Sequence, residues 1–332
     1  MDGSGKNRRE TYVSELHLEA AGRPTMYFIG VSTSQSMIMK VFPAWARRLG
    51  FGDCAIKGID LALHDLPRRY REVVQFIRDD PCSLGALVTT HKIDLYAAAR
   101  DLFDQIDDSA ALMGEVSSIS RQDGRLLGAA RDAISSGLSV EAIVPPRHWE
   151  QTRADAFIMG AGGASVALCT YLARAVHGAN RPARLFVSNR SKGRLDQMRE
   201  IHRRQPPGIP VDYVLTPSPE ENDAVMRKLS PCSLVVNGTG LGKDASGSPI
   251  TDAAVFPKNG IAWDFNYRGD LLFLRQAGAQ AQSRGLHSED GWLYFIHGWL
   301  CVIGDVFHRD IPSQGTEFDE LCRIADEERR KS

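Results

Sequence analysis

Paired cysteines are missing from this chain. Its six cysteines (Cys54, Cys82, Cys169, Cys232, Cys301 and Cys322) are scattered, with no CxxC spacing. That argues against a zinc site and a disulfide framework, and it suits buried thiols in a reducing cytoplasm. No metal-ligand cluster stands out, and no apolar run approaches membrane-spanning length. The first residues, Met1 to His17, lack the apolar centre of a secretory signal and are expected to belong to a flexible arm. An excess of either charge is lacking too. Lys and Arg number 40 against 41 Asp and Glu, for a formal net charge of -1. No global field therefore draws the chain to nucleic acid or to an anionic membrane.

What is present is an ordinary globular composition, 43% apolar and 24% charged, over 332 residues. That length accommodates two domains. The most informative stretch runs from Asp155 to Ala175. An apolar run, Ala156 to Met159, reads as a buried parallel strand. It ends in Gly160-Ala161-Gly162-Gly163-Ala164, and a helical pattern follows at once. Glycines at such a turn leave room for a pyrophosphate at the positive end of the helix. Ser165 takes the place of the third glycine of that fingerprint and is still small.

The next strand, Arg184 to Asn189, should end beside an adenosine ribose. NAD sites place a carboxylate there. This chain offers Asn189, Arg190, Ser191, Lys192 and Arg194, which suit the 2′-phosphate of NADP.

Strands are expected at 26–30, 53–59 and 84–90, with helices to about 49, over 66–78 and from 92 to about 103. A hairpin is expected around Gln122-Asp123-Gly124. A helix over 132–142 leads to Pro145-Pro146, a boundary signal. Strands then recur at 156–159, 185–188, 211–215, 234–237 and 262–265. Strands alternating with helices predict an α/β fold with a doubly wound sheet. The helices expected over 291–307 and 317–330 have no strand left to cover in the second domain.

Several stretches together resemble the shikimate/quinate dehydrogenase family, over about 27–304. Gly160 to Ala164 and Asn189 to Ser191 are similar to its cofactor motifs. Asn237-Gly238-Thr239-Gly240-Leu241-Gly242 resembles its Asn-Ala-Thr-x-x-Gly turn beside the nicotinamide, and Asp264 to Tyr267 its Asp-x-x-Tyr strand end. Ser34 and Ser36 match the serine pair that holds the substrate carboxylate. Val88-Thr89-Thr90-His91-Lys92 resembles Asn-Val-Thr-x-Pro-x-Lys, shortened by one residue, which makes Lys92 the catalytic lysine. Gly128 to Asp132 resembles Gly-x-Asn-Thr-Asp, which makes Asp132 its carboxylate partner.

The resemblance implies an arm over 1–20, a catalytic substrate domain over 21–133, a Rossmann NADP-binding domain over 134–287, and helices over 288–332 that return to the first domain. It implies NADP(H) as cofactor and substrate contacts from Ser34, Ser36, Thr89, Ser117, Tyr267 and His297. Cofactor contacts would come from the 160–164 turn, Asn189, Arg190, Ser191, Arg194, Asn237, Thr239 and Gly240. By analogy it suggests a cytoplasmic homodimer.

The departures fall on the substrate side. Family asparagines are replaced by Leu87, Ser117 and Ala130, with Arg131 where the family has threonine. The glutamine of Gly-x-x-Met-Leu-x-x-Gln is Gly298. Those amides read ring hydroxyls, and a site built for a hydroxyl discriminates strongly. The expected reaction is therefore ketone–alcohol exchange on a cyclic carboxylate with fewer or different ring substituents, with Arg131 and His297 as candidate new contacts. Authentic shikimate dehydrogenase, an enzyme of similar layout such as methylenetetrahydrofolate dehydrogenase, and a non-catalytic ligand sensor remain open at this point.

Overall fold

The computed structural model describes residues 16–243 and 245–331, so residues 1–15 of the expected arm lie outside the described residues. Strand β1 (Thr25–Gly30) is buried along its whole length and runs parallel between β2 (Ala55–Asp60) and β3 (Ser83–Val88). Two-sided burial is why it reads as an unbroken apolar run. The sheet continues through β4 (Gln105–Ile106), β5 (Ser118–Gln122) and β6 (Arg125–Ala129), in the order β2-β1-β3-β5-β6-β4. The β5–β6 hairpin turns at Asp123 and Gly124, both at positive φ (51° and 76°). Such a turn matches the twist of the strands. The helix expected from 92 to 103 stops at Ala99 and tightens into a 3-10 turn, Arg100–Leu102.

The second sheet is formed by β7 (Ala156–Met159), β8 (Leu185–Asn189), β9 (Val211–Leu215), β10 (Leu234–Asn237), β11 (Ile261–Asp264) and β12 (His287–Glu289). All its pairings are parallel, in the order β9-β8-β7-β10-β11-β12. Chain direction across the sheet reverses between β7 and β10. In open parallel sheets that switch point forms the ligand crevice, at the carboxyl ends of the strands.

At this crevice two glycine turns are pressed together. Register pairs Met159 with Asn237, which sets Gly160 beside Gly238. Gly160 has φ of +103°, and a Cβ there would lie 2.6 Å from the Gly238 carbonyl oxygen. A Cβ on Gly238 would lie 2.4 Å from Ser165 Oγ. Ser165, buried at the third-glycine position, therefore fits because residue 238 has no side chain.

The helices Trp292–Val306 and Thr316–Arg330 return to the first domain. The first packs on β3, β5 and the helix Asp132–Ile143, and the second on the helix Ile38–Leu49. Trp45 Nε1 donates to the Leu321 carbonyl at 2.8 Å, and Phe28 meets Trp299 edge-on at 4.9 Å. Both helices complete an apolar cluster with Met26, Phe42 and Leu87. Among the described residues no helix is long and apolar enough to cross a membrane.

The paired turns yield a stability test. Gly238→Ala is expected to cost about 1–3 kcal/mol, the range for overpacking a filled site. Adding Ser165→Gly should recover most of that loss. Urea denaturation of both variants checks this; a double variant no more stable than Gly238→Ala alone would refute the packing account.

Candidate active site

The site grows from three neighbouring strands. β3 and β6 point the same way, and β5 runs antiparallel between them. Leu87 pairs with Ser118 and Ser118 with Ala129, so the end of β3, the start of β5 and the end of β6 share one edge. Lys92 follows β3, Glu115 precedes β5 and Asp132 follows β6. Local hydrogen bonds hold these approaches. Lys92 N–H donates to the Thr89 carbonyl, and Val116 N–H to the Lys92 carbonyl. Lys92 and Asp132 each open a helix, Lys92–Ala99 and Asp132–Ile143. Residues forty positions apart are thereby placed in contact.

Lys92 Nζ is hydrogen-bonded to Asp132 Oδ2. Their side chains are only 18% and 9% exposed, so the pair sits largely out of water. Burial pushes the lysine down, but the charges of Asp132 and Glu115 outweigh it and the net shift is upward. Lys92 is an ammonium at neutral pH.

Glu115 is the residue that motif reading missed. It is 1% exposed, and its Oε1 has no hydrogen-bond partner among the described residues. A Cβ on Gly163 would fall 2.4 Å from its Oε2, so the carboxyl lies against the glycine turn. Burial, and then the charge of Asp132, push it up to about 8 against the pull of Lys92. Tyr294 was also missed. Burial raises its phenol strongly, the charges of Asp132 and Glu115 add to that, and its hydroxyl bonds to Ser135. Its ring packs on Phe265 at 5.0 Å. The sequence signals were slender: an acid just before the apolar Val116, and an aromatic where the resembled family has Met.

Just past the end of β1, Thr33 N–H and Oγ1 donate to Asp60 Oδ1 at 2.8 and 2.6 Å. These bonds fix the turn that carries exposed Ser34 and half-buried Ser36. Ser36 is hydrogen-bonded to the Tyr267 hydroxyl. Thr89 Cγ2 and Thr33 Cγ2 would both lie 3.1 Å from a Cβ on Gly30, which places Thr89 at the base of the same turn. Ser117 Oγ accepts from Arg131 N–H at 2.8 Å.

Arg131 and His297 are turned elsewhere. Arg131 Nε donates to Asp305 at 2.6 Å and Nη1 to Asp107 at 2.8 Å. His297 stacks on Phe318, at 4.7 Å and 11°, and burial lowers its imidazole to about 4. Both line a cavity of about 790 Å³ whose lining includes neither Lys92 nor Asp132. Arg131 is a brace between two carboxylates, and His297 is a neutral core ring. Arg131 and His297, the two candidate new contacts, thus engage partners within the protein.

Gly298 lies one turn beyond Tyr294 and nearly one turn before Cys301, both of which sense the charge of Asp132. A Cβ on Gly298 would meet nothing within 4 Å, so the place of a large amide is open space. Leu87 and Ala130, at the other two changed positions, are buried in apolar clusters.

On the cofactor side, the helix Gly163–Leu172 starts at Gly162 with no side-chain cap. Its first N–H groups are therefore left for an anion. Ala161 is buried, while Gly163 and Ala164 are half-buried. Arg190 and Ser191 are exposed at the start of the helix Lys192–Arg204. Asn189 Nδ2 donates to the Ser191 carbonyl at 3.1 Å, and Arg194 donates to Gln197 at 3.2 Å. Asn237 works inside its turn. Its Oδ1 accepts from Thr239 N–H and Oγ1, and its Nδ2 donates to the Leu241 carbonyl and to Asp264. It shapes the backbone through positive-φ Gly240. The described cysteines are all unpaired thiols, and no cluster of three metal-ligating side chains occurs among the described residues.

No protein-family model matches the chain. It is similar to the shikimate dehydrogenase (NADP(+)) of Symbiobacterium thermophilum, 29% identical over 223 residues, or 66% of this chain and 70% of the relative. It is 26% identical over 303 residues to that of Paramagnetospirillum magneticum, covering 90% of this chain and 94% of the relative. The crystal structure of shikimate dehydrogenase from Aquifex aeolicus superposes with a TM-score of 0.67 at 19% identity, over 93% of this chain and 98% of that one, a likeness of fold. In sequence and in its two-sheet fold the chain is thus similar to shikimate dehydrogenases.

Proposed function

We propose that this protein is an NADP-dependent oxidoreductase that interconverts a ketone and a secondary alcohol on a cyclic carboxylate. The observation that carries the reading is the buried Lys92–Asp132 pair, whose acidic neighbour Glu115 lies against the glycine turn. Two relatives carrying NADP(+) in their names support the cofactor. The uncapped helix at Gly162 and the basic segment Arg190–Arg194 are a chemically suitable cradle for its pyrophosphate and 2′-phosphate. When bound, NADPH supplies the hydride.

The chain's own residues handle the proton. As charge develops on the carbonyl oxygen, Lys92 Nζ gives up a proton to it. Asp132 fixes the direction of the ammonium and keeps it charged beforehand. In the reverse direction a neutral Lys92 takes the hydroxyl proton. Ser34, Ser36 and Tyr267 place hydroxyls at one turn, where they can converge on the substrate carboxylate. A sensor has no use for a proton donor held this way, and that favours the enzyme.

The substrate reading rests on what surrounds the ring. Leu87 and Ala130 offer no hydrogen bond, and Gly298 leaves open space. Ring hydroxyls seated there would lose their water partners without replacement, which costs about 1–3 kcal/mol each. The favoured substrate is therefore a ring carboxylate with fewer hydroxyls or a bulkier substituent than shikimate.

Two outcomes follow. Lys92→Ala should lower kcat by about 10³-fold and leave the NADPH Kd within a few-fold of wild type. Steady-state turnover and fluorescence titration check this, and comparable turnover in the variant would sink the assignment. Across a panel of cyclic keto acids, kcat/KM for a less hydroxylated carboxylate should exceed that for 3-dehydroshikimate by about 10²-fold. Should 3-dehydroshikimate prove the best of the panel, the protein is an ordinary shikimate dehydrogenase.

A further inference from the structure

Glu115 stands where a dinucleotide site should not hold an acid. Its Oε2 lies against Gly163, at the uncapped start of the helix expected to receive the pyrophosphate, and its Oε1 is buried without a partner. The same carboxyl forms one wall of a groove of about 470 Å³, with Ala161 and Gly163 on one side and Arg194 along it. A charged carboxylate and a pyrophosphate in one poorly hydrated turn repel each other strongly. We propose that Glu115 makes this cofactor site proton-linked: its carboxyl is uncharged when the dinucleotide is seated, so that binding at alkaline pH takes up one proton. The inference rests on the NADP reading above and deepens it.

The groups that face Glu115 do not supply another route. Lys92 is committed to Asp132, and its upward shift keeps it charged well beyond pH 9. Tyr294 is neutral over the same range. Along the groove, Asp196 is paired with Lys192 and Arg199, and Glu200 with Arg203 and Arg204. Arg194 bonds to the neutral Gln197. Burial and the charge of Asp132 raise Glu115 into the range where a proton can come and go between neutral and alkaline pH.

The sign follows from linkage. A carboxyl that must be protonated in the complex leaves affinity unchanged below its titration in the free protein and weakens it above. The test is the NADPH Kd by fluorescence titration between pH 7 and 9.5, above the second ionisation of the 2′-phosphate at about 6. In the wild type the Kd should rise on the order of tenfold between pH 7 and 9. Calorimetry at pH 9 in two buffers of different ionisation heat should find close to one proton taken up. Glu115→Gln, which keeps the shape and removes the charge, should bind NADPH with a flat pH profile and no proton uptake. A flat wild-type profile with NADPH bound overturns the inference alone, as does a slope retained in Glu115→Gln. No binding at any pH overturns it together with the NADP reading. The calorimetric measurement needs no variant, so it stands even if Glu115→Gln fails to fold.

Discussion

A single buried ion pair organises the first domain, and its cost explains much of what surrounds it. Lys92 and Asp132 are taken largely out of water, and removing one partner of such a pair leaves a stranded charge worth about 3–5 kcal/mol. The pair survives because three adjacent strands deliver their connections to one edge of the sheet. Asp132, in the first turn of its helix, also sits where a helix dipole favours negative charge. Lys92 opens a helix, where the dipole disfavours it, so the nearby carboxylates must hold it in place. The contact is thus a product of topology, since nothing local in either helix would create it.

The second constraint is closeness of backbone. Cofactor turns at the β7–β10 switch point need glycine because two turns touch there, besides leaving room for a ligand. Gly238 and Ser165 show the consequence. A hydroxymethyl group has moved into the place of one glycine, and a methyl expected on the neighbouring turn is gone. The sum of the two volumes is what the packing fixes, so a motif can be broken at each position and still be satisfied as a pair.

Much of this architecture was legible in the sequence because long-range order follows local pattern in parallel sheets. The strands at Ala156 and Leu234 could be read from apolar runs ending at glycine, since two-sided burial leaves no other composition. The strands Gln105–Ile106 and His287–Glu289 were not legible, being short, polar edge strands. In the site, Lys92 and Asp132 carry no local signal at all. Only resemblance paired them. Arg131 and His297 stand at positions where substrate contacts were expected. Their partners in the fold, Asp107, Asp305 and Phe318, come from distant segments and leave no mark in the local sequence. Glu115 shows the same limit from the other side. A lone glutamate before a strand is ordinary in sequence, and its meaning comes from burial against a glycine of another domain.

The distribution of charge links Glu115 to the positions proposed to surround the substrate. Leu87, Ala130 and Gly298 stand where the resembled family has amides. One buried acid lies on the cofactor side, between the ion pair and the glycine turn. With both carboxyls ionised, the cluster of Lys92, Asp132 and Glu115 would carry a net negative charge in a medium of low dielectric, and that is costly. With one further proton, held on a carboxyl while Lys92 stays an ammonium, it is neutral. In the proposed reaction, ketone reduction draws one proton through this cluster for every hydride delivered. In the proposed mechanism, proton donation from that neutral state leaves one buried negative charge, whereas donation with both carboxyls ionised would leave two, so a protonated Glu115 lowers the charge that Lys92 creates when it gives up its proton.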